Sequence, residues 1–583
     1  MQIKNLTLAG AAALTVFAMV AAPAQASPDK TVTITVMGTS DIHGNALNWD
    51  YFQDKVYADS KGNNIGLAKV STLVNKIRAE RGADQTLLFD SGDTLQGTPL
   101  AYYYAKIEPV TQSGQTHPMA TAMNAIGYDA VTLGNHEFNY GLPLLNTWVE
   151  QMKAPVLGAN AVQEDSGKPA FEPYMIKTMH IKGEKPIRVG VLGLTNPGVA
   201  IWDKANVEGK LRFNDLVETA KKWVPVIKRQ GVDIIVVSAH SGDSGLSSYG
   251  AELPNENAAA LVAQQVPDID AVLVGHAHNE IAQRFVTNTE TGEQVLLTEP
   301  SKWGQRLSVM DFNLTKERGQ WTVTSKSSTT LNANTVAEDP EIVNLLKPQH
   351  DRTVTYVNKV VAKSSETLSA AESTYKDTAI VDYIQKVQIE TVKAALPGNT
   401  LPIISIAAPF SRTAVFPAGD VRVRDVAGLY VYDNTLLAVK FTGAQIKDYL
   451  EHSARYFNQL AADAPVDVTK LTNAHNTPDY NYDQLSGVSY DIDISRPAGD
   501  RIANLTFEGA PIPAAKEFVV AINNYRQSGG GGFPHASTAP VLYNAQVEIR
   551  QALIEYATAQ GTINPADFNA PNWRLVRGSV PLF

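Results

Sequence analysis

From residue 31 onward the chain repeats one pattern: a short apolar run, a polar or glycine-bearing break, then a stretch of helical period. The runs at 31–38 (TVTITVMG), 85–90 (QTLLFD), 130–133 (AVTL), 154–160 (APVLGAN), 187–194 (IRVGVLGL), 233–239 (DIIVVSA) and 270–275 (DAVLVG) read as strands. Amphipathic segments such as LAKVSTLVNKIRAERG and FNDLVETAKKWVPVIKRQG lie between several of them. Strands alternating with helices predict an α/β layered domain. Five runs are followed at once by Asp, His or Asn, in the blocks MGTSDIHGN (Asp41, His43), LFDSGDTLQG (Asp93), TLGNHEFNYG (Asn135, His136), VVSAHSGD (His240) and LVGHAHNE (His276, His278). A parallel sheet would gather these side chains along one edge.

One histidine past a strand is usually a solvated or hydrogen-bonded structural residue. Here five of the chain's 11 histidines occupy such blocks, beside the oxygen ligands that hard or borderline divalent cations prefer. With no cysteine in the chain, disulfides, thiol catalysis and thiolate metal sites are excluded. The net charge of −10 argues against a polymeric nucleic-acid partner, which would require a basic face. A small anion is compatible with it if the site carries its own positive charge. Two divalent cations set against Asp41, Asp93 and neutral histidines leave such a site net positive and suited to a phosphate ester.

The first 26 residues, with Lys4 before an apolar stretch and Ala24-Gln25-Ala26 after it, predict a signal peptide cut after Ala26. No later run approaches ~18 apolar residues, so the expected product is periplasmic or secreted, without a membrane anchor and monomeric. Residues 338–358 are polar with a helical period and predict a connecting helix. Beyond it, residues 434–457 read as a strand, a Thr-Gly cap and an amphipathic helix, followed by strand-like runs. The expected domains are 27–337, a linker helix over 338–359, and an α+β unit over 360–583.

D-x-H, G-D-x-x-x-G, G-N-H-E, a later histidine and G-H-x-H together resemble the metallophosphoesterases. The two-domain exported layout resembles the 5′-nucleotidase superfamily over essentially the whole mature chain. GNHEFNYG, AHSG, GHAH, NNYR and NWRL are most similar to the bacterial periplasmic 2′,3′-cyclic-nucleotide 2′-phosphodiesterase/3′-nucleotidases. This chain is the shorter at its C-terminal end.

The resemblance implies an αββα-type domain holding two divalent metal ions, Zn, Mn or Co. It places Asp41, His43 and His278 on one ion and Asn135, His240 and His276 on the other, with Asp93 bridging. It implies a catalytic role for His136 beside the phosphate. The 5′-nucleotidases carry an aspartate three residues later to support that histidine, and here the position is Asn139. A neutral amide stabilises an imidazolium less than a carboxylate does. Glu137 is expected to anchor its loop.

In the second domain the resemblance implies that Tyr432 and Tyr525 clamp a nucleobase, with Asn434 at the base edge and Arg526 close to the ligand; Gly529 and Gly530 are expected to let the backbone come close to the ligand or to the other domain. Arg412 lies near a position where the 5′-nucleotidases use arginine. The substrates implied are small nucleotides. Two other readings stay open at this level: a 5′-nucleotidase or nucleotide-sugar hydrolase, and a nucleotide-binding protein that has lost catalysis.

Overall fold

The computed structural model describes residue 1 and residues 31–583, except 250, 252, 318 and 462. Apart from Met1, the expected signal peptide lies outside the described residues.

The N-terminal half is a sandwich of two six-stranded sheets. The first has the order Gln320–Asn332, Arg306–Glu317, Thr31–Thr39, Thr86–Asp90, Ala130–Thr132, Val156–Leu157, the last four being parallel. The second has the order Glu280–Thr287, Gln294–Pro300, Ala271–Val274, Ile234–Ala239, Ile187–Leu194, Tyr174–Met179, with antiparallel strands at both edges.

Side-chain alternation explains why the sheets stack. In Thr86–Asp90, Leu87 and Phe89 face the inter-sheet core while Leu88 faces the outer helices. In Ile234–Ala239, Ile234 and Val236 face inward while Ile235 and Val237 meet the helices outside. Helices Leu67–Arg81, Pro118–Ile126 and Leu142–Gln151 cover one sheet, and Leu216–Lys228 and Ala259–Gln265 the other. The result is an αββα layering.

The five polar blocks therefore do not share one sheet edge, which corrects the simplest reading of the strand pattern. Three follow strands of the first sheet and two follow strands of the second. They meet because the C-terminal ends of both sets of parallel strands open on the same rim of the sandwich. The antiparallel strands Arg306–Glu317 and Gln320–Asn332 were not legible as such, since the second alternates weakly and is rich in Ser and Thr.

Helix Pro340–Val357 follows, capped by Asp339, whose carboxylate accepts from Glu341 N. Its Ile342 and Leu346 enter the core of the first domain. The C-terminal part centres on a five-stranded sheet ordered Gln484–Ser486, Ile403–Ala407, Glu517–Asn523, Thr435–Thr442, Val541–Glu548. Val519 and Ala521 pack under helices Ala379–Ala395 and Ile549–Gln560; Phe518, Val520 and Ile522 pack on the opposite face. Thr442 and Gln445 form a reciprocal capping box at the start of helix Gly443–Ser453, as the Thr-Gly signal predicts.

Candidate metal centre and substrate cleft

The loops after the strands are tied to one another before any ligand is considered. Asp41 N donates to Gly92 O (2.8 Å) and His43 N to Asp93 O (2.8 Å), which pins the first two blocks together. Glu137 does the same for the third. Its carboxylate accepts from Gly134 N (2.6 Å), Asp93 N (2.9 Å), Thr94 N (2.5 Å) and Leu95 N (3.1 Å), so it anchors the loops and does not face the cleft. Gly134 must be glycine, because a Cβ there would lie 2.2 Å from Asp93 Oδ1.

Asp41, His43, Asp93, His276 and His278 all hold left-handed backbone, with φ between +49° and +74°. That conformation costs roughly 1–2 kcal/mol per non-glycine residue, and it persists here because the packed rim leaves the loops no alternative.

The nitrogen atoms then sort themselves. His43 Nδ1 lies 3.0 Å from Gln96 O and His240 Nδ1 lies 2.8 Å from Ser91 O, so each of these nitrogens carries a proton. His276 Nε2 is held the same way by Glu256 Oε1 at 2.8 Å. The opposite nitrogens therefore present lone pairs: His240 Nε2 is 3.0 Å from Asp93 Oδ2 and 3.1 Å from Asn135 Oδ1. His276 Nδ1 is 3.0 Å from the same Asn135 oxygen, and His43 Nε2 is 3.0 Å from His278 Nε2. His278 Nε2 also lies 3.3 Å from Asp41 Oδ1. Electron pairs facing electron pairs repel unless a proton or a metal cation lies among them.

The ionisation tendencies agree. Burial pushes His43 down to about 3 and keeps it a neutral donor. Burial also opposes a charge on His240, yet the carboxylates of Asp93, Asp41 and Glu137 push it up to about 10. Positive charge is demanded at that point. For Asp41 and Asp93, burial disfavours the carboxylate, but the surrounding histidines hold both below the usual range. The donor atoms fall into the groups Asp41/His43/His278, Asp93/His240/His276 and His43/Asp93/His136, each within 4.8 Å. Nitrogen and oxygen donors at this spacing fit divalent cations.

His136 sits at the cleft wall with its side chain 31% exposed and Nε2 3.9 Å from Asp93 Oδ2. Its Nδ1 meets Asn139 Oδ1 at 2.6 Å, and Asn139 Nδ2 donates to both oxygens of Asp203 at 3.0 Å. Burial lowers the His136 pKa, but Asp93, Asn139 and Asp203 outweigh it and the net direction is upward. Asp203 and Glu256 were invisible to motif reading, as was Trp202, which stacks on His276 with centroids 5.6 Å apart and 24° between planes.

The cleft of about 1240 Å³ beside these residues is walled on its far side by the second domain, through Tyr432, Asn434 and Tyr525. Tyr480 stands between the two tyrosines, edge-on to Tyr432 at 5.6 Å and to Tyr525 at 6.4 Å. Phe410 backs Tyr432 at 5.8 Å. Asn434 Nδ2 donates to Tyr430 Oη. The domains touch directly: Gln96 Nε2 and Tyr140 Oη both donate to Asp433 Oδ2, at 2.7 and 2.8 Å.

Four second-domain residues depart from expectation. Arg526 is 1% exposed and does not reach the cleft; its guanidinium is held by Asp483, Asn481 Oδ1, Tyr480 O and Gly530 O. It supports the Tyr525 ring, 5.2 Å away, from below. Gly530 makes room for that ring and not for a ligand, since a Cβ would lie 2.4 Å from Tyr525 Cε2. Gly529, at φ +107°, turns the chain into this support. Arg412 is bound to Asp479, Asn473 and Tyr456 outside the cleft lining.

Residues 34–280 match the calcineurin-like phosphoesterases, and residues 360–538 match the 5′-nucleotidase C-terminal domain. The 2′,3′-cyclic-nucleotide 2′-phosphodiesterase/3′-nucleotidase of Salmonella typhimurium is 34% identical over 94% of this chain and 89% of its own length. The trifunctional nucleotide phosphoesterase protein YfkN of Bacillus subtilis is 36% identical over 95% of this chain, which spans 39% of that longer protein. A Staphylococcus aureus protein assigned as a 5′-nucleotidase and solved with α-ketoglutarate superposes with a TM-score of 0.74 at 26% identity, covering 93% of this chain and 99% of that one.

Proposed function

The chain belongs to the family of the 2′,3′-cyclic-nucleotide 2′-phosphodiesterase/3′-nucleotidases, and from that premise we propose how its cleft carries out the reaction. It is a nucleotide-scavenging hydrolase. It adds water across the P–O2′ bond of a 2′,3′-cyclic nucleotide to give a 3′-nucleotide, then across P–O3′ to release nucleoside and phosphate. The inward-facing nitrogens of His43, His240 and His276, with His278, Asp41, Asp93 and Asn135 converging beside them, carry the reading. They would hold two divalent ions of Zn, Mn or Co type. Bound there, the ions supply positive charge to the phosphoryl group and lower the pKa of the attacking water.

The chain's own residues do the rest. His136 turns Nε2 toward the phosphate position and donates a proton to the departing ribose oxygen. Tyr432 and Tyr525, with Tyr480 between them, grip the base, and the span from that grip to the metal end selects the ester presented. Residues 27–337 and 360–583 act as the two working units, linked by 338–359. Each copy has both cleft walls, so a monomer suffices. Cleavage after Ala26 would deliver the protein beyond the inner membrane.

Metal-loaded protein assayed on cyclic 2′,3′-AMP, 3′-AMP, 5′-AMP and UDP-glucose tests the proposal. Higher kcat/KM on the first two is expected. A preference for 5′-AMP or UDP-glucose overturns the assignment of ester.

A further inference from the structure

We propose that Asp203 is a positioning residue for His136, acting through the side-chain amide of Asn139. The inference rests on the placement of His136 beside the phosphate given above. Asp203 lies at the junction of two short helices, Val199–Trp202 and Lys204–Val207, and is 5% exposed. Among the described residues no lysine or arginine pairs with it. Its side-chain donors are Asn139 Nδ2, at 3.0 Å to each oxygen, and Asn206 Nδ2 at 3.5 Å. Asn206 Nδ2 also donates to Phe138 O (2.9 Å) and Asn139 O (3.2 Å), fixing the backbone of the same turn.

A carboxylate buried this way without a cation is costly unless the structure uses it. Here it decides which way an amide points. With a carboxylate on one side, Asn139 must turn its NH₂ there, because the flipped amide would set oxygen against oxygen. Its Oδ1 is then aimed at His136 Nδ1, 2.6 Å away. An acceptor at that position requires Nδ1 to carry hydrogen, which leaves Nε2 as the nitrogen that serves the cleft. The amide transmits orientation and part of the negative charge, so the histidine is supported by a carboxylate one residue removed.

The test compares leaving groups. Cyclic 2′,3′-AMP and 3′-AMP release a poor ribose oxyanion that needs a proton, whereas bis-p-nitrophenyl phosphate releases a stable phenolate. Asp203→Ala should lower kcat on the nucleotides by about 10- to 100-fold, with KM within about threefold. The loss on bis-p-nitrophenyl phosphate should be about threefold or less, and metal content should stay at the wild-type ratio. The exchange variant Asn139→Asp/Asp203→Asn puts the carboxylate directly on His136, and it should recover to within about fivefold of wild type while Asn139→Asp alone does not.

Equal losses on both ester classes, loss of metal, or no recovery in the exchange variant would overturn the proposal. So would full activity of Asp203→Ala. If Asp203→Ala does not fold, Asp203→Asn and the exchange variant give the same answer. Should the wild type prefer 5′-AMP, the ester assignment fails but the leaving-group contrast is still read, with 5′-AMP as the alcohol ester.

Discussion

At the metal end of the cleft, Asp41 and His240 are sealed from solvent, and five of the seven candidate ligands hold left-handed backbone. At the opposite end, Tyr432 and Tyr525 are only partly buried, and Tyr480 is 38% exposed. One end is a rigid arrangement of like-facing electron pairs that a cation must reconcile. The other is a set of aromatic faces whose use does not depend on one geometry. The metal end should therefore fail completely when one member is removed, and the aromatic end should fail by degrees.

The largest effect is expected at Asp93, whose oxygens lie near His43, His136 and His240 alike. Asp93→Ala should lose activity by about 10⁴-fold or more, together with metal. Elemental analysis and turnover should fall together. Adding Mn or Zn to chelator-stripped wild type should raise its melting temperature, by about 2.7 kcal/mol of stability at a hundredfold excess over Kd. The variant should show no such rise. An active Asp93→Ala enzyme would break the contrast at its stronger end.

At the aromatic end, Tyr432→Ala or Tyr525→Ala should weaken nucleotide binding by about 1–3 kcal/mol, seen mainly in KM. Bis-p-nitrophenyl phosphate, which has no base, should be nearly indifferent. Tyr480 stands edge-on to both rings, so Tyr480→Ala should affect the two grips together and approach the larger single loss. Equal losses with and without a base would mean that the tyrosines hold the wall and not the ligand.

The same contrast explains what could be read from the chain. Each metal-end residue follows an apolar run directly, so its type and its place past a strand end are both visible in sequence. The tyrosines are chemically indistinct from packing tyrosines, and only resemblance picked them out. Asp203 and Glu256 had no signal of either kind. Asp203 meets Asn139 across 64 residues and Glu256 meets His276 across 20, through loops whose course tertiary packing sets. Arg526 was placed at the ligand by resemblance, while in the fold Asp483 neutralises it under the aromatic wall. The assignment of the blocks to a single edge failed for a related reason. Strand polarity is legible locally, but membership of one sheet or two is decided by long-range pairing.

The smallest effect concerns a carboxylate with no part in the cleft, where no histidine opposes burial as it does at Asp41 and Asp93. Asp382 lies on helix Ala379–Ala395, 5% exposed, and is pushed up to about 8 by burial and then by the neighbouring Asp377 carboxylate. Asp377 accepts from Asn572 N at 2.8 Å. In the unfolded chain an aspartate releases its proton near 3.9. Between these values folding takes up a proton, so the contribution of Asp382 is complete below about pH 4 and declines as pH rises toward about 8. Asp382→Asn keeps the shape and removes the titration. Its melting temperature should therefore fall less than that of wild type between pH 5 and 8, by roughly 2–4 °C for each kcal/mol of linkage. The cleft carboxylates are common to both proteins, so the difference between the two curves isolates the Asp382/Asp377 pair. Parallel curves would show that Asp382 is ionised in the fold. Burial and the Asp377 carboxylate would then not be holding its proton.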